Sequence, residues 1–238
     1  MGGYDETPEN FGANMRQFAV DGLVNMVGGC CGTSPAYIES LAKAVKDVPR
    51  RALPEKNQKT QPMMLSGMTE FILRDNIPFV NVGERCNISG SLAFKRLIKN
   101  GEFEKAIAIA KNQVENGAQI LDFNLDDGLI DGKQAMTRFV RMALSDPEIA
   151  SVPLMVDSSK FEVIEAGLQN SQGKCIVNSI SLKEGELDFL TKAKTILRYG
   201  AAVVVMAFDE SGQATEVDQK VQICKRAYKL LKDIGFPA

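Results

Sequence analysis

Residues 152–160 read Val-Pro-Leu-Met-Val-Asp-Ser-Ser-Lys, an apolar run that ends abruptly in a carboxylate and two hydroxyls. A carboxylate at the end of a buried strand must be solvated, paired or bound to a ligand. The same figure recurs along the chain. Short apolar, β-branched runs occupy Phe79–Cys86, Gln119–Leu125, Pro153–Ser158, Lys174–Ser181 and Ala201–Asp209. They close on Glu84-Arg85, on Asp122 with Asn124, on Asp157-Ser158-Ser159, on Asn178 with Ser179, and on Asp209-Glu210.

Longer segments of helical spacing lie between these runs. Phe103, Ile107, Ala110 and Val114 form one apolar face, Met136, Phe139, Val140, Ala143 and Leu144 a second, and Val217, Val221, Cys224, Tyr228 and Leu231 a third. A short helix is expected around Phe94–Ile98. Buried strands alternating with helices predict parallel pairing with right-handed crossovers. A doubly wound sheet gathers its ligand groups at one switch point. Here every strand ends in polar groups, which favours a (β/α)8 TIM-type barrel with its functional face at the C-terminal strand ends. No G-x-G-x-x-G or Walker A sequence opens a helix. A whole barrel takes about 250 residues, so the stretch from residue 79 onward predicts one truncated after about five βα units.

The N-terminal part reads differently. Asn14–Asp21 predicts the end of a helix, Leu23–Gly28 a buried strand and Tyr37–Val45 a helix, together the last βα unit of another barrel. Residues 48–76 carry Pro49, Pro54, Pro62 and the pair Arg50-Arg51 with little periodicity, and read as a linker. The expected organisation is therefore 1–47, a linker 48–76, and 77–238.

Composition narrows the chemistry. The chain has 238 residues, 45% hydrophobic and 24% charged, with a net charge of −2, an ordinary globular balance that calls for neither nucleic acid nor an anionic membrane. Its longest purely apolar run, Ala201–Phe208, falls far short of the roughly 20 residues of a membrane helix. It contains no His and no Trp. Ser-His-Asp and Cys-His catalysis and His-based zinc sites are therefore absent, leaving carboxylates, thiols, amides or a cofactor. Five cysteines without a regular framework, behind an N-terminus with no apolar signal core, predict a reducing, cytoplasmic setting.

Several residues carry two readings. Cys30-Cys31 in the Gly-Gly-Cys-Cys-Gly-Thr turn are either two thiolates converging on zinc or two buried, inert thiols. Asp157 is either a ligand group or a helix N-cap, with Ser158 or Ser159 able to cap in its place. Asn178 offers donors and an acceptor to a heterocycle with adjacent N–H and C=O groups, or makes an internal hydrogen bond. Asp122 and Asn124, two apart on a strand, face the same way. Asp126-Asp127-Gly128 reads as an acidic turn. Asn87–Ser91 offers hydroxyls and backbone N–H groups for an anion or for capping. Cys86, Cys175 and Cys224 are expected in the core.

Taken together, these residues resemble a known family. Val24–Thr33 is similar to the end of the homocysteine-binding barrel of cobalamin-dependent methionine synthases, and Phe79–Asn87 to the opening strand of their pterin-binding barrel. Val114–Asp122, Val156–Lys160, Val177–Ser181 and Tyr199–Glu210 follow in that barrel's order. The resemblance implies methyl transfer from 5-methyltetrahydrofolate through cobalamin, held by another module, to a zinc-activated homocysteine thiolate, giving methionine and tetrahydrofolate. It implies that Cys30 and Cys31 are two of three zinc ligands, the third lying outside this chain. It implies that Asp157 and Asn178 hold the pterin and that Ser89, Gly90 and Ser91 belong to a folate-contacting loop, with Asp122 and Asn124 a weaker transfer. Partners so implied are the small molecules folate and homocysteine and a cobalamin-binding module, with no nucleic acid or membrane. A fragment of such an enzyme is expected to be inactive alone. The alternatives are another pterin enzyme, of the dihydropteroate synthase or corrinoid/iron-sulfur methyltransferase kind, or a non-catalytic piece.

Overall fold

The computed structural model describes residues 5–52 and 62–237. The chain divides into two compact units, residues 1–59 and 60–238.

In the first unit, α1 (Pro8–Val20) begins with proline at its first turn, and the Thr7 hydroxyl accepts the Asn10 N–H at 3.2 Å. It packs on α2 (Pro35–Val45), which also opens on proline. Gly12 permits the close approach: a Cβ there would stand 2.5 Å from Ser40 Oγ. Phe11 meets Tyr37 edge to face at 5.8 Å. Both predicted helices are present, but the buried strand expected over Leu23–Gly28 is not. A parallel strand needs a neighbour to pair with, and the unit offers none among its described residues; Leu23 and Met26 are exposed.

The second unit opens with an antiparallel hairpin, β1 (Met64–Ser66) and β2 (Glu70–Ile72). Parallel strands and helices then alternate: β3 (Val82–Asn87), α3 (Leu92–Lys99), α4 (Phe103–Glu115), β4 (Ile120–Asn124), α5 (Gly132–Ala143), α6 (Pro147–Ser151), β5 (Leu154–Asp157), α7 (Phe161–Asn170), β6 (Ile176–Ile180), α8 (Glu186–Arg198) and β7 (Ala202–Val205). A second small hairpin, β8 (Phe208–Asp209) with β9 (Gly212–Gln213), precedes α9 (Val217–Asp233). The five parallel strands lie in the order β3-β4-β5-β6-β7. Spatial order equals chain order, so there is no switch point, and the sheet winds in one direction as in a TIM-type barrel.

Alternation along the strands separates two faces. Cys86, Leu121, Phe123, Val156 and Val177 join the helices in the main core and are essentially inaccessible. Phe94, Phe139 and Phe123 stack edge to face within it, at 5.2 and 4.8 Å. The opposite face carries Ile120, Met155, Ile176 and Ala202 at its N-terminal end, where they cluster with Leu65, Phe71 and Leu73 of the hairpin region. The stretch expected as a linker therefore contains the plug of the barrel floor. Gly173, at φ +73°, makes the plug possible, because a Cβ there would lie 2.3 Å from the Ser66 carbonyl oxygen. Ser66 N–H donates to Lys174 O at 3.1 Å and Lys174 N–H to Ser66 Oγ at 2.8 Å.

Two further expectations are corrected. The strand expected over Ala201–Asp209 stops at Val205, and the chain turns into the small hairpin, where Asp209 Oδ1 accepts both Ser211 N–H and its hydroxyl at 2.9 and 2.5 Å. On α9 the buried stripe is Ile223, Ala227 and Leu231. Leu231 is buried as predicted, but Ile223 and Ala227 stand one residue, about 100°, from the predicted Cys224 and Tyr228, so Val217, Val221 and Tyr228 are exposed and Cys224 lies outside the core. Cys86 and Cys175 are buried as expected.

Candidate functional site

The parallel register builds the site. Asn87 is level with Asn124, Asn124 with Asp157, and Asp157 with Asn178. Their neighbours Cys86, Phe123, Val156 and Val177 are committed to the helix-side core. All four therefore turn to the other face, at the C-terminal strand ends, in one polar layer about 14 Å across at ordinary strand spacing. Asp122 lies one layer below Asn124, level with Met155 of the apolar floor.

Each side chain in the layer has an assigned direction. Asn124 Oδ1 accepts the Asp126 N–H at 3.0 Å, which leaves its amide nitrogen to hydrogen-bond Asp157. Asn178 Nδ2 points down to Asp122 Oδ2 at 3.5 Å. Asn87 Oδ1 accepts the Ser89 and Gly90 N–H groups at 2.8 and 3.2 Å. Ser91 caps α3, its hydroxyl accepting the Phe94 N–H at 3.2 Å. The backbone donors of Ser89 and Gly90 are thus spent inside the loop, and Ser89 itself is exposed.

Asp157 does not cap a helix. Nor does either serine, since α7 opens on Lys160 without a side-chain cap; the Ser158 hydroxyl accepts the Lys160 N–H at 3.0 Å in the turn ahead of the helix and donates to Asp126 Oδ1 at 2.6 Å. Asp126 also accepts the Ser159 N–H and hydroxyl at 2.6 and 2.7 Å. The residue read as part of an acidic turn is the tie between the loops after β4 and β5. Asp127 pairs with Lys95 and Lys99 of α3 at 3.0 and 3.1 Å. The Leu129 N–H and these two lysines hold its carboxyl down to about 2.

The electrostatics of the site are acidic. Burial, then the charges of Asp157 and Glu84, push the Asp122 carboxyl up to about 7, against a smaller opposing effect from the Asn178 amide. Asp157 is also raised, chiefly by burial and further by Asp126 and Glu84, while Asn124 opposes. Two carboxyls that keep protons unusually well, flanked by amides, suit a neutral heterocycle rich in N–H donors, and they suit the storage of a proton. Asp122 is 1% exposed, and its Oδ1 has no hydrogen-bond partner.

Sequence reasoning named Asp122, Asn124, Asp157 and Asn178, and these four converge. It passed over Asn87, Glu84 and Asp126 as individual site residues. The signal for Asn87 was available: it is the true end of β3, two residues past the polar pair taken as that end.

In the first unit, Cys30 and Cys31 are exposed rather than buried, with their sulfurs 3.8 Å apart. Thr33 shapes the turn, its hydroxyl accepting the Cys30 N–H at 2.9 Å and its own N–H donating to Cys30 O at 3.0 Å. Among the described residues no cluster of three or more His, Cys, Asp or Glu side chains could hold a metal ion.

Residues 83–238 match the family model described as pterin binding enzyme. Residues 1–45 match the model described as homocysteine S-methyltransferase. The chain belongs to the pterin binding enzyme family. The two matches in this order fit the corresponding part of a methionine synthase and together indicate a methyltransferase-type enzyme. Among the described residues no helix is long and apolar enough to cross a membrane.

Proposed function

We propose that the second unit holds the pterin ring of 5-methyltetrahydrofolate on the polar layer, in a protein that moves the folate methyl group by way of cobalamin to homocysteine, giving methionine and tetrahydrofolate. The observation that carries this reading is the co-registration of Asn87, Asn124, Asp157 and Asn178 on one face at the strand ends. A pterin presents a ring N–H, an exocyclic amino group and a carbonyl along one edge. A carboxylate accepts the two donors side by side, and an amide answers the remaining groups. Asp157 is the acceptor in this arrangement and Asn178 the amide. Asn124, held by the Asp126 N–H, keeps Asp157 in place.

The chemistry of this class breaks the bond between a methyl carbon and a tertiary amine nitrogen, and that nitrogen leaves readily only when protonated, as the secondary amine. Bound cobalamin would supply the nucleophile for that displacement. The chain's own contribution is orientation and proton storage. Asp122 is the carboxyl that keeps a proton near neutral pH, Asp157 serves as the ionised acceptor, and the layer needs no histidine.

Cys30 and Cys31 would hold zinc. Two thiolates on one tetrahedral zinc, each about 2.3 Å from the metal, stand about 3.8 Å apart. The sulfurs of this turn have that separation. The remaining protein ligand would come from outside the described residues, and the metal would lower the pKa of the substrate thiol. Free cysteines throughout the described residues fit a reducing, cytoplasmic setting. A dihydropteroate synthase-like role is less apt, since residues 1–45 carry a homocysteine S-methyltransferase match that such an enzyme has no use for.

The test is calorimetric titration of the full chain with 5-methyltetrahydrofolate. Saturable binding supports the reading, and a folded chain that takes up no folate overturns it.

A further inference from the structure

Among the described residues, one buried side-chain atom lacks a hydrogen-bond partner, and it is Asp122 Oδ1. An unpartnered buried oxygen carries a cost of about 1–3 kcal/mol in general, so its place beneath the ligand layer calls for a reason. Among the described residues no cation stands near it. The titratable groups whose charge reaches Asp122 are Glu84 on β3 and Asp157 on β5, both acidic, with the Cys86 thiol behind them on the helix side, while β6 presents the neutral Asn178. The Cys86 thiol is itself pushed up to about 12, chiefly by burial. A carboxylate among these groups has nothing to balance its charge. A carboxylic acid has less need of balance. Its proton resides on Oδ1, and Oδ2 remains a carbonyl-like acceptor for the amide of Asn178 at 3.5 Å.

We propose that Asp122 is a positioning residue, a carboxyl held in its neutral form beneath the polar layer, which fixes the side-chain amide of Asn178 through Oδ2 and thereby leaves the Asn178 carbonyl oxygen and its second N–H for the ligand. Asparagine amides flip at little cost when nothing holds them, and a flipped Asn178 would present two donors upward in place of one donor and one acceptor. The device discriminates among heterocycles by their hydrogen-bond pattern. It also couples the site to pH: once Asp122 ionises, its Oδ2 attracts the Asn178 N–H more strongly and its charge repels Asp157. A ligand covering the layer removes more water from above Asp122 and so favours the neutral form. Affinity therefore falls as pH rises through the Asp122 titration, by as much as tenfold per pH unit above its midpoint.

The choice of a pterin as ligand rests on the function proposed above; the Asp122–Asn178 coupling does not, and its test needs no ligand. The Asn178 side-chain amide signals of the isotopically labelled full chain, assigned by their loss in Asn178→Ser, are followed from pH 5 to 9 together with the Asp122 carboxyl carbon. The expected result is a single shared midpoint near 7, with the Asn178 signals of Asp122→Asn fixed over the whole range. The coupling is overturned by Asn178 signals that do not move, by a midpoint near that of an ordinary aspartate, or by movement that persists in Asp122→Asn. The wild-type titration alone decides the matter should the variant fold poorly. A chain that shows the coupling yet binds no 5-methyltetrahydrofolate refutes the pterin reading and leaves the positioning role standing.

Discussion

The substitution Asp122→Asn tests the electrostatics of the site through stability. The Asp122 carboxyl titrates at about 7 in the folded chain, against an ordinary value of 3.8. Between those values the folded state keeps a proton that the unfolded state has released. Unfolding then gives up that proton, so stability falls with rising pH across this window and is fully lowered once pH passes the folded value. At about 1.4 kcal/mol per pH unit, the whole interval amounts to about 4 kcal/mol. Asparagine has nearly the shape of the neutral acid and keeps an acceptor for Asn178, but it does not titrate. Its N–H group at the Oδ1 position adds a cost that is the same at every pH. The predicted signature is therefore a difference: the stability of Asp122→Asn relative to wild type rises by about 4 kcal/mol between pH 4 and pH 8. Urea unfolding of both chains at closely spaced pH values measures it. A difference that is flat with pH would falsify the claim that Asp122 is held neutral by its surroundings.

Two further outcomes follow from the geometry. Asp126→Ala removes three hydrogen bonds of 2.6 to 2.7 Å to Ser158 and Ser159 and strands the buried Ser158 hydroxyl, and is expected to cost about 2–3 kcal/mol in urea unfolding and to weaken folate binding; unchanged stability would mean that the β4 and β5 loops are held by other contacts. Cobalt(II) titrated into the reduced chain is expected to give thiolate-to-metal absorption that Cys30→Ser and Cys31→Ser each abolish and Cys224→Ser leaves intact. Absorption that instead follows Cys224 would remove the zinc assignment.

The parallel strands were legible because a strand buried on one side by helices and ending at a polar mouth writes both facts into its sequence. Residues 152–160 are the plainest case: apolar residues up to Val156, then Asp157 and two hydroxyls. Asp122 and Asn124 were legible as a pair through alternation alone. What could not be read were relations between segments distant in sequence. Leu65 sits in a proline-bearing stretch of weak periodicity, and only its contact with Ile120 and Ile176 shows that the stretch seals the barrel floor. Asp126 has the local composition of a turn, while its partners lie more than thirty residues away, at Ser158 and Ser159. The α9 face was misread because two apolar stripes run along that helix, and spacing does not say which one meets the core. The strand expected at Leu23–Gly28 failed for a related reason, since an apolar run becomes a strand only beside a partner.

The central claim is that the layer of Asn87, Asn124, Asp157 and Asn178 binds a pterin, with Asp157 as its anchor. Calorimetric titration of wild type and Asp157→Ala with 5-methyltetrahydrofolate tests it most directly. A charge-assisted hydrogen bond contributes about 1.5–3 kcal/mol, so the account predicts saturable binding to wild type, weakened about tenfold to a hundredfold or more by the substitution. Equal affinity in the two chains, or no binding to a folded wild-type chain, would contradict it.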